Sequence, residues 1–427
     1  MKLWNKGYEI DQWVEKFTVG DDRKYDKKLA PYDVKGNIAH AAMLAKVGLI
    51  SDAEYELLEE ELQKLLLTVS EKDFEIPENF EDIHSYIEYL LTEKLGDLGK
   101  RIHTGRSRND QVLVDLHLFY KEELKEIKAL CIALSDLLLQ KANEHKDKLI
   151  PGYTHLQVAM PSSIGLWLSA YGELLIDDLL MLDAAYKCCD QNPLGSAAGY
   201  GSSFPIDRDF TTQLLGFGHL KYSSAASQMG RGKTEKNIAH ALSCIGATLA
   251  KLSQDVILYM CQNFGFISFP DQLTTGSSIM PHKKNPDVFE LVRAKCNKLQ
   301  ALPQEITNIC NNLNSGYHRD FQILKEGIFE AFEEIKDCLN ASSITLEAME
   351  VKEDVLNTSM YDNLFTVEAV NALVLEGIPF REAYQQIGEA LKEGSYVPNK
   401  NLKHSHKGSI GNLCTVEIGN KRKELID

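Results

Sequence analysis

The sequence predicts an all-α protein built around a bundle of long helices. Between Ser107 and Lys146 the chain contains no glycine or proline, and its apolar residues recur at spacings of three and four. A helix over this whole stretch would be about 60 Å long. Residues 164–189 and 234–264 are also long and rich in apolar residues. No segment alternates apolar and polar residues for long enough to predict a substantial sheet.

The apolar faces of these helices are wider than one surface helix needs. Within 113–139, the stripe that includes Leu113 and Leu116 is widened by Leu118, Ile132 and Leu139. Such faces indicate a multi-helix bundle, and a monomer would expose a large apolar area. We therefore expect other subunits to complete the bundle, as in a homo-oligomer.

Changes in composition predict domain boundaries near residues 105 and 350. Residues 1–105 are predicted to form an N-terminal helical domain, in which Ser51 and Glu54 have the spacing of a capping box. Residues 106–350 would form the central long-helix bundle. Residues 351–427, with shorter helical segments and the polar stretch HSHKGSIGN, would form a small C-terminal helical domain.

Composition and charge narrow the class of protein. The chain has 427 residues, of which 44% are hydrophobic and 25% charged, and its formal net charge is −16. That charge disfavours a general nucleic-acid or membrane-surface binder. The nine cysteines include no CxxC spacing, which indicates free thiols in a reducing compartment. The N-terminal stretch is charged and amphipathic, and we find no apolar run close to the length of a membrane span, so we expect a cytoplasmic protein.

Five polar stretches interrupt the helical sequence. They are residues 81–88 (EDIHSYIE), 103–111 (HTGRSRNDQ), 151–157 (PGYTHLQ), 276–287 (GSSIMPHKKNPD) and 314–325 (NSGYHRDFQILK). They lie near the predicted ends of long helices. Because helix ends converge at the rims of a bundle, these stretches can meet there, including across subunits.

The side chains of these stretches suit a ligand that carries carboxylates. They supply cations and hydrogen-bond donors, with His155 and Ser277 available for proton transfer. Removing a proton from a carbon beside a carboxylate requires fixed donors to hold the resulting dianion. A helix that begins near Pro286 would add partial positive charge, and Glu290 could be an acidic partner for His155. Taken singly, each feature has a simpler interpretation: His155 as a structural histidine, HKK as a solvated run, and Asp82 with His84 as a helix cap.

The motifs themselves resemble a known family. GSSIMPHKKNP is similar to the GSSxMPxKxNP signature of the fumarase/aspartase superfamily, and HTGRSRNDQV, PGYTHLQ, EDIH and NPLGS resemble the argininosuccinate lyase family within it. The similarity covers roughly residues 1–390. It implies a three-domain, mainly helical subunit in a homotetramer with active sites built from three subunits. It also implies cofactor-free, metal-free, reversible elimination of argininosuccinate to arginine and fumarate in arginine biosynthesis.

The resemblance also implies roles for individual residues. Ser277 would be the base, and His155, paired with Glu290, the acid or its relay. Lys283 would stabilise the aci-carboxylate together with Asn285. The implied substrate-binding residues are Ser107, Arg108, Asn109, Thr154, Asn285, Tyr317, Gln322 and Lys325, with Asp82 and His84 in support.

Two alternatives stay open at this point. His282 is a feature shared with adenylosuccinate lyases, although HTGRSRNDQ resembles the argininosuccinate branch. Some relatives are crystallin-like structural proteins, but intact Ser277 and His155 disfavour that role here. The chain also departs from the family pattern at Asp22, where a substrate-contacting serine is expected.

Overall fold

The computed structural model describes residues 11–402 and 404–426. Of the amphipathic N-terminal stretch, residues 1–17, the first ten residues lie outside the described residues. Helices account for 65% of the structure and strands for 6%. The prediction of an all-α fold is therefore confirmed.

Sixteen α-helices are defined within the described residues. In chain order they are α1 (Gln12–Val19), α2 (Asp22–Lys46), α3 (Asp52–Val69), α4 (Ile83–Leu95), α5 (Asp97–Lys100), α6 (Arg108–Glu144), α7 (Ile164–Cys189), α8 (Arg208–Leu214), α9 (Ser224–Met229), α10 (Lys233–Met260), α11 (Asp287–Leu299), α12 (Leu302–Cys310), α13 (Leu324–Glu347), α14 (Thr366–Leu375), α15 (Phe380–Glu393) and α16 (Thr415–Ile426). Short 3₁₀ turns cover Arg101–His103, Asp271–Leu273, Arg319–Gln322 and Ser359–Phe365.

The strands form three two-stranded pairings. They are β1 (Leu149–Thr154) with β2 (Gln157–Ser163), antiparallel; β3 (Gln191–Asn192) with β4 (His219–Leu220), parallel; and β5 (Ile267–Ser268) with β6 (Glu350–Val351), antiparallel. Four of these six strands have only two residues. They therefore connect helices locally and do not form a separate layer.

The chain divides into two compact units. The first comprises residues 1–127, 181–243 and 299–333, and the second comprises residues 128–180, 244–298 and 334–427. Four long helices, α6, α7, α10 and α13, contribute residues to both. The predicted three-domain division stays a prediction.

The long helices follow the sequence pattern closely. α6 runs for 37 residues without a break, as the absence of glycine and proline predicts. α7 and α10 occupy the other two long apolar stretches. By length and composition α10 could cross a membrane, so the expectation of no membrane-length apolar run was too strong. Half of its most apolar segment is buried, as in a core helix of a globular protein.

Two apolar clusters hold the first unit together. α2, α3 and α4 bury leucines and isoleucines against one another, among them the fully buried Leu44, Leu58 and Ile83. In the second cluster, Phe119 of α6 packs on Phe329 of α13 with ring centroids 4.4 Å apart. The predicted capping box at Ser51 and Glu54 is present and starts α3.

A polar contact joins two helices in the second unit. Asp255 of α10 accepts hydrogen bonds from Trp167 Nε1 at 3.1 Å and Tyr171 Oη at 2.6 Å, both on α7. Buried indole and phenol groups need such partners. The contact therefore fixes the register of α7 against α10 within this unit, beside the β1–β2 hairpin that carries His155.

Candidate active site

The signature loop, residues 276–286, is closed at its base by Asn285. The backbone of Asn285 pairs with that of Thr275, and its Nδ2 donates to Gly276 O at 3.0 Å and Thr275 Oγ1 at 3.2 Å. α11 begins at Asp287, one residue later than the sequence predicts. The Asn285 side chain therefore closes the loop and does not cap the helix.

Ser277 lies in a nest of backbone donors inside this loop. The N–H groups of Met280 and Ile279 approach its Oγ at 3.2 and 3.4 Å. Donors aimed at a hydroxyl oxygen favour its deprotonated form, because they stabilise the negative charge that develops there. The loop thus places two backbone donors at the Oγ of Ser277, whose role as the base stays a prediction.

Lys283 and Asn285 line a cavity of about 440 Å³ in the second unit. The cavity lies between the signature loop and the end of α10, near Met260 and Cys261. The Lys283 ammonium has no ion pair within residues 11–402 and 404–426, whereas Lys284 pairs with Asp271. Lys283 is therefore the cation of this loop that remains available to an anion.

His155 occupies a strained turn at the tip of the β1–β2 hairpin. His155 and Leu156 are the two loop residues between the paired Thr154 and Gln157, and both have positive φ, 54° and 57°. This is the left-handed pattern of a type I′ hairpin turn. Non-glycine residues in this region cost roughly 1 kcal/mol each, so the turn stores strain at the predicted acid.

Leu156 provides a test of this strain. Its side chain is 74% exposed, so little burial is lost on substitution. Leu156→Asn should stabilise the protein by about 1 kcal/mol, because asparagine tolerates the left-handed region, and Leu156→Val should destabilise it by a similar amount. Urea unfolding of both variants measures the difference. Equal stabilities would contradict the turn geometry.

The structure does not join His155 to its predicted partner. Both side chains are exposed, and no hydrogen bond or ion pair links His155 to Glu290 in the part of the chain described. The pairing stays a prediction. Thr154, at the end of β1, is exposed as well.

A second group of predicted residues lies in the first unit and lines one small polar pocket. The members are Asp82, His84, Arg108, Asn109, Tyr317, Gln322 and Lys325. It is an open pocket of about 50 Å³, with room for water-sized groups. Ser107 is not among the lining residues; its N–H donates to Asp110 Oδ1 at 2.8 Å.

Asp110 joins two of the quoted motifs. Its Oδ2 accepts from the N–H groups of Gly195 and Ala197, each at 2.9 Å. Asp110 belongs to HTGRSRNDQ and Gly195 to NPLGS. A buried carboxylate with three backbone donors fixes the start of α6, where Arg108 and Asn109 enter the pocket.

Asp82 caps a helix and also pairs with a cation of the pocket, while its supporting role in the site stays a prediction. It caps α4 by accepting from Ser85 N at 2.8 Å, and it forms an ion pair with Arg108 Nη1 at 2.9 Å. Burial raises the pKa of Asp82, but the charges of His84 and Arg108 and the Ser85 hydrogen bonds outweigh it, so the pKa lies below its usual value. Asp82 is thus held as an anion.

His84 is oriented by a buried carboxylate that the sequence analysis missed. Its Nδ1 lies 2.7 Å from Asp33 Oδ1 and 3.5 Å from Asp115 Oδ2. Burial lowers the pKa of His84, but Asp33 and its other acidic neighbours raise it more, so the pKa lies above its usual value. Burial, followed by the charge of Asp33, raises the pKa of Asp115 well above its usual value. Nothing in the sequence distinguished Asp33 and Asp115 from surface acids on helices.

The same three residues could hold a metal ion. The ligand atoms of Asp33, His84 and Asp115 lie within 4.8 Å of one another, and all three residues are buried. His84 Nδ1 already has a short contact with Asp33, so a shared proton accounts for the arrangement equally well.

Two of the predicted pocket residues already have protein partners, and the pocket also has lining residues that the sequence analysis did not predict. Gln322 donates to Thr18 O and Val19 O and accepts from Arg319 Nε. Lys325 binds Asp22 and Asp26. Asp26, Glu81 and Arg319 also line the pocket. Glu81 and Arg319 fall inside the quoted polar stretches, which is the signal that could have found them.

Comparison with known proteins places this geometry in a family. The sequence matches the model of the Lyase family over residues 6–301. It is 53% identical over 425 residues to the argininosuccinate lyase of Parabacteroides distasonis, covering 100% of this chain and 95% of the relative. The chain belongs to the argininosuccinate lyase family. It is 42% identical over 388 residues to the argininosuccinate lyase of Thermotoga neapolitana, covering 91% of this chain and 98% of that one.

Solved structures agree with this family fold. An EDDS lyase in complex with formate superposes with a TM-score of 0.78 at 20% identity, covering 98% of this chain and 91% of that one. A fumarate lyase:delta crystallin from Brucella melitensis, bound to cobalt, gives a TM-score of 0.74 at 16% identity, with coverages of 96% and 93%. The predicted argininosuccinate lyase resemblance is confirmed, and membership of the family makes the chain a carbon–nitrogen lyase.

Proposed function

We propose that this protein cleaves argininosuccinate reversibly to arginine and fumarate, as a cytoplasmic enzyme of arginine biosynthesis. The observation that carries this proposal is the 53% identity, over the whole chain, to a protein named argininosuccinate lyase. The intact signature loop, with Ser277 and Lys283 in place, supports it. The same identity favours this substrate over adenylosuccinate.

In the proposed reaction, Ser277 acts on the succinate part of the substrate. As serinate, its Oγ removes a proton from the carbon next to a carboxylate, and the electron pair of the broken C–H bond moves into that carboxylate. The backbone N–H groups of Ile279 and Met280 support the serinate form. Lys283, which has no ion pair within the described residues, neutralises the dianion together with the start of α11.

The second half of the reaction breaks the carbon–nitrogen bond. The electron pair returns from the carboxylate to form the double bond of fumarate, and the pair of the broken C–N bond stays on the guanidino nitrogen. His155, directly or as a relay with Glu290, supplies the proton that nitrogen takes. Asn285 closes the loop through its side chain. We propose that it also contacts the substrate.

We also propose that the enzyme is a homotetramer in which three subunits contribute to each site. Large apolar side chains are exposed along the long helices, among them Leu174 and Met181 on α7 and Ile344 on α13, at 42%, 47% and 61%. Exposed apolar rows of this kind mark surfaces that another subunit covers. Light scattering should give four times the 48.0 kDa chain mass; a monomer mass would refute the tetramer.

The activity is tested with two substrates in parallel. The purified protein should turn argininosuccinate into fumarate, seen as growing ultraviolet absorbance of the conjugated double bond, and should leave adenylosuccinate unchanged. An unchanged signal with argininosuccinate over hours would refute the proposed function. Turnover of adenylosuccinate alone would assign the chain to the other branch.

A further inference from the structure

Two histidines of the C-terminal polar stretch HSHKGSIGN lie side by side. His404 and His406 are separated by one residue, and residues at this spacing point to the same side of an extended chain. Their imidazole rings have centroids 6.0 Å apart and an interplanar angle of 30°. The residues that the structure describes form no hydrogen bond or ion pair with the His406 ring. The nitrogens of this exposed ring are therefore available to a ligand from solution.

A glutamate from a neighbouring helix completes the group. Glu368 lies in the first turn of α14, and its Oε1 is 3.0 Å from His404 Nε2. Both side chains are partly buried, whereas His406 is exposed. We call His404, His406 and Glu368 the His-Glu cluster. All three residues belong to the second unit, and none of them is a predicted residue of the candidate active site.

Contacts within the loop fix the backbone that carries the two histidines. The backbones of Ser409 and Asn412 pair with each other, and Ser409 Oγ donates to His406 O at 2.9 Å. Gly411 packs so closely on His404 that a Cβ atom at this position would clash with His404 O. The loop is therefore ordered before a ligand binds, which lowers the entropic cost of binding.

The spacing of these donor atoms suits a transition-metal ion. Zinc binds imidazole nitrogen and carboxylate oxygen at about 2.0–2.2 Å, so two donors on one ion lie roughly 3–3.5 Å apart. The 3.0 Å between His404 Nε2 and Glu368 Oε1 matches the lower end of that range. By the same bond lengths, two imidazoles on one ion have ring centroids about 5–6 Å apart. The exposed His406 side chain can turn about its χ angles to reach the same ion.

We propose that the His-Glu cluster binds a Zn²⁺ ion through His404 Nε2, one ring nitrogen of His406 and a carboxylate oxygen of Glu368, with water as the fourth ligand. Two imidazoles and one carboxylate form a ligand set that suits zinc. The ion takes the place of a proton between His404 and Glu368, and it fastens the loop to the start of α14. This inference goes beyond the proposed lyase function and gives the metal no part in the elimination.

The test measures Zn²⁺ binding to the full-length protein by titration calorimetry, with the thiols kept reduced by a phosphine. The wild type should bind Zn²⁺ at this site with micromolar affinity. His406→Gln and Glu368→Gln should each weaken that binding at least about tenfold, because each removes one of three protein ligands. The matched control is Ser405→Ala, which lies between the two histidines and keeps all three ligands. Its affinity for Zn²⁺ should equal that of the wild type.

Two further measurements separate this site from the nine cysteines of the chain. Co²⁺ serves as a spectroscopic probe, since nitrogen and oxygen ligands give visible bands without the intense near-ultraviolet charge-transfer absorbance of thiolate ligands. Zn²⁺ should also raise the melting temperature of the wild type and of Ser405→Ala, because an ion that binds only the folded protein stabilises it. The melting temperature of His406→Gln should not rise.

Three results would overturn the inference. They are equal Zn²⁺ affinity in the wild type and both ligand variants, a cobalt spectrum with thiolate bands only, and an equal loss of binding in Ser405→Ala, which would mean that the shape of the loop explains the effect. Because His406 is exposed, His406→Gln keeps the test decisive if Glu368→Gln does not fold. None of these outcomes depends on whether the protein cleaves argininosuccinate.

Discussion

Replacing Ser277 by alanine is expected to reduce turnover of argininosuccinate by about 10²- to 10⁴-fold while leaving the protein folded. A positioned base contributes a factor of this size, and alanine has no oxygen to accept the proton. Ser277 lies in a loop and is only half-buried, so its hydroxyl makes little contribution to the core. The measurement is kcat from fumarate absorbance, with urea unfolding of the same preparations.

A matched control for this variant is Ser395→Ala. Ser395 is a loop serine too, exposed and just after the end of α15, and its hydroxyl bonds the local backbone at Ala390 O. The Ser395→Ala variant should have the same kcat as the wild type. If Ser277→Ala retained full kcat with normal unfolding, another group would have to be the base.

Asp33→Asn is expected to have the largest effect on stability. Asp33 on α2 contacts His84 on α4 and accepts from Gln111 on α6 at 2.9 Å, so one carboxylate joins three helices. Removing one partner of a buried pair costs roughly 3–5 kcal/mol. We expect a loss of about 3 kcal/mol at pH 6, measured by urea unfolding.

The effect of Asp33→Asn should depend on pH with a defined sign. Because Asp33 helps to raise the pKa of His84 above its unfolded value of about 6.5, the pair adds stability that is fully present below that pH. This stability is lost as pH rises through the folded pKa of His84. The wild type and the variant should therefore differ less at pH 9 than at pH 6.

A surface carboxylate provides the comparison for this variant. Asp97 pairs with Lys100 in solvent, and Asp97→Asn should cause no measurable change at either pH. An equally large loss for Asp33→Asn at pH 6 and pH 9 would show that packing, and not the His84 charge, explains the effect.

The helical architecture followed from local patterns, while the arrangement of polar residues did not. α6 could be predicted because propensity, the absence of glycine and proline, and the spacing of leucines all agree within one segment. Asp33 could not be predicted, since its partners His84 and Gln111 are 51 and 78 residues away in sequence. Periodicity contains no information about such long-range polar contacts.

The candidate site shows the same division. The signature loop was recognisable because its residues are contiguous, and its closure by Asn285 is a local hydrogen-bond pattern. The left-handed conformation of His155 was not predictable, because the turn contains no glycine or asparagine to signal it. Asp22 departs from the family pattern, and its ion pair with Lys325 spans 303 residues of sequence, so no local pattern predicts it.

At His155, the stability of the hairpin and the proposed catalytic role favour different residues. An asparagine there would relax the hairpin, and in the proposed mechanism it would also remove the proton donor. Selection for thermal stability alone would therefore favour inactive variants at this position. A more stable and still active enzyme needs its stabilising substitutions at other positions.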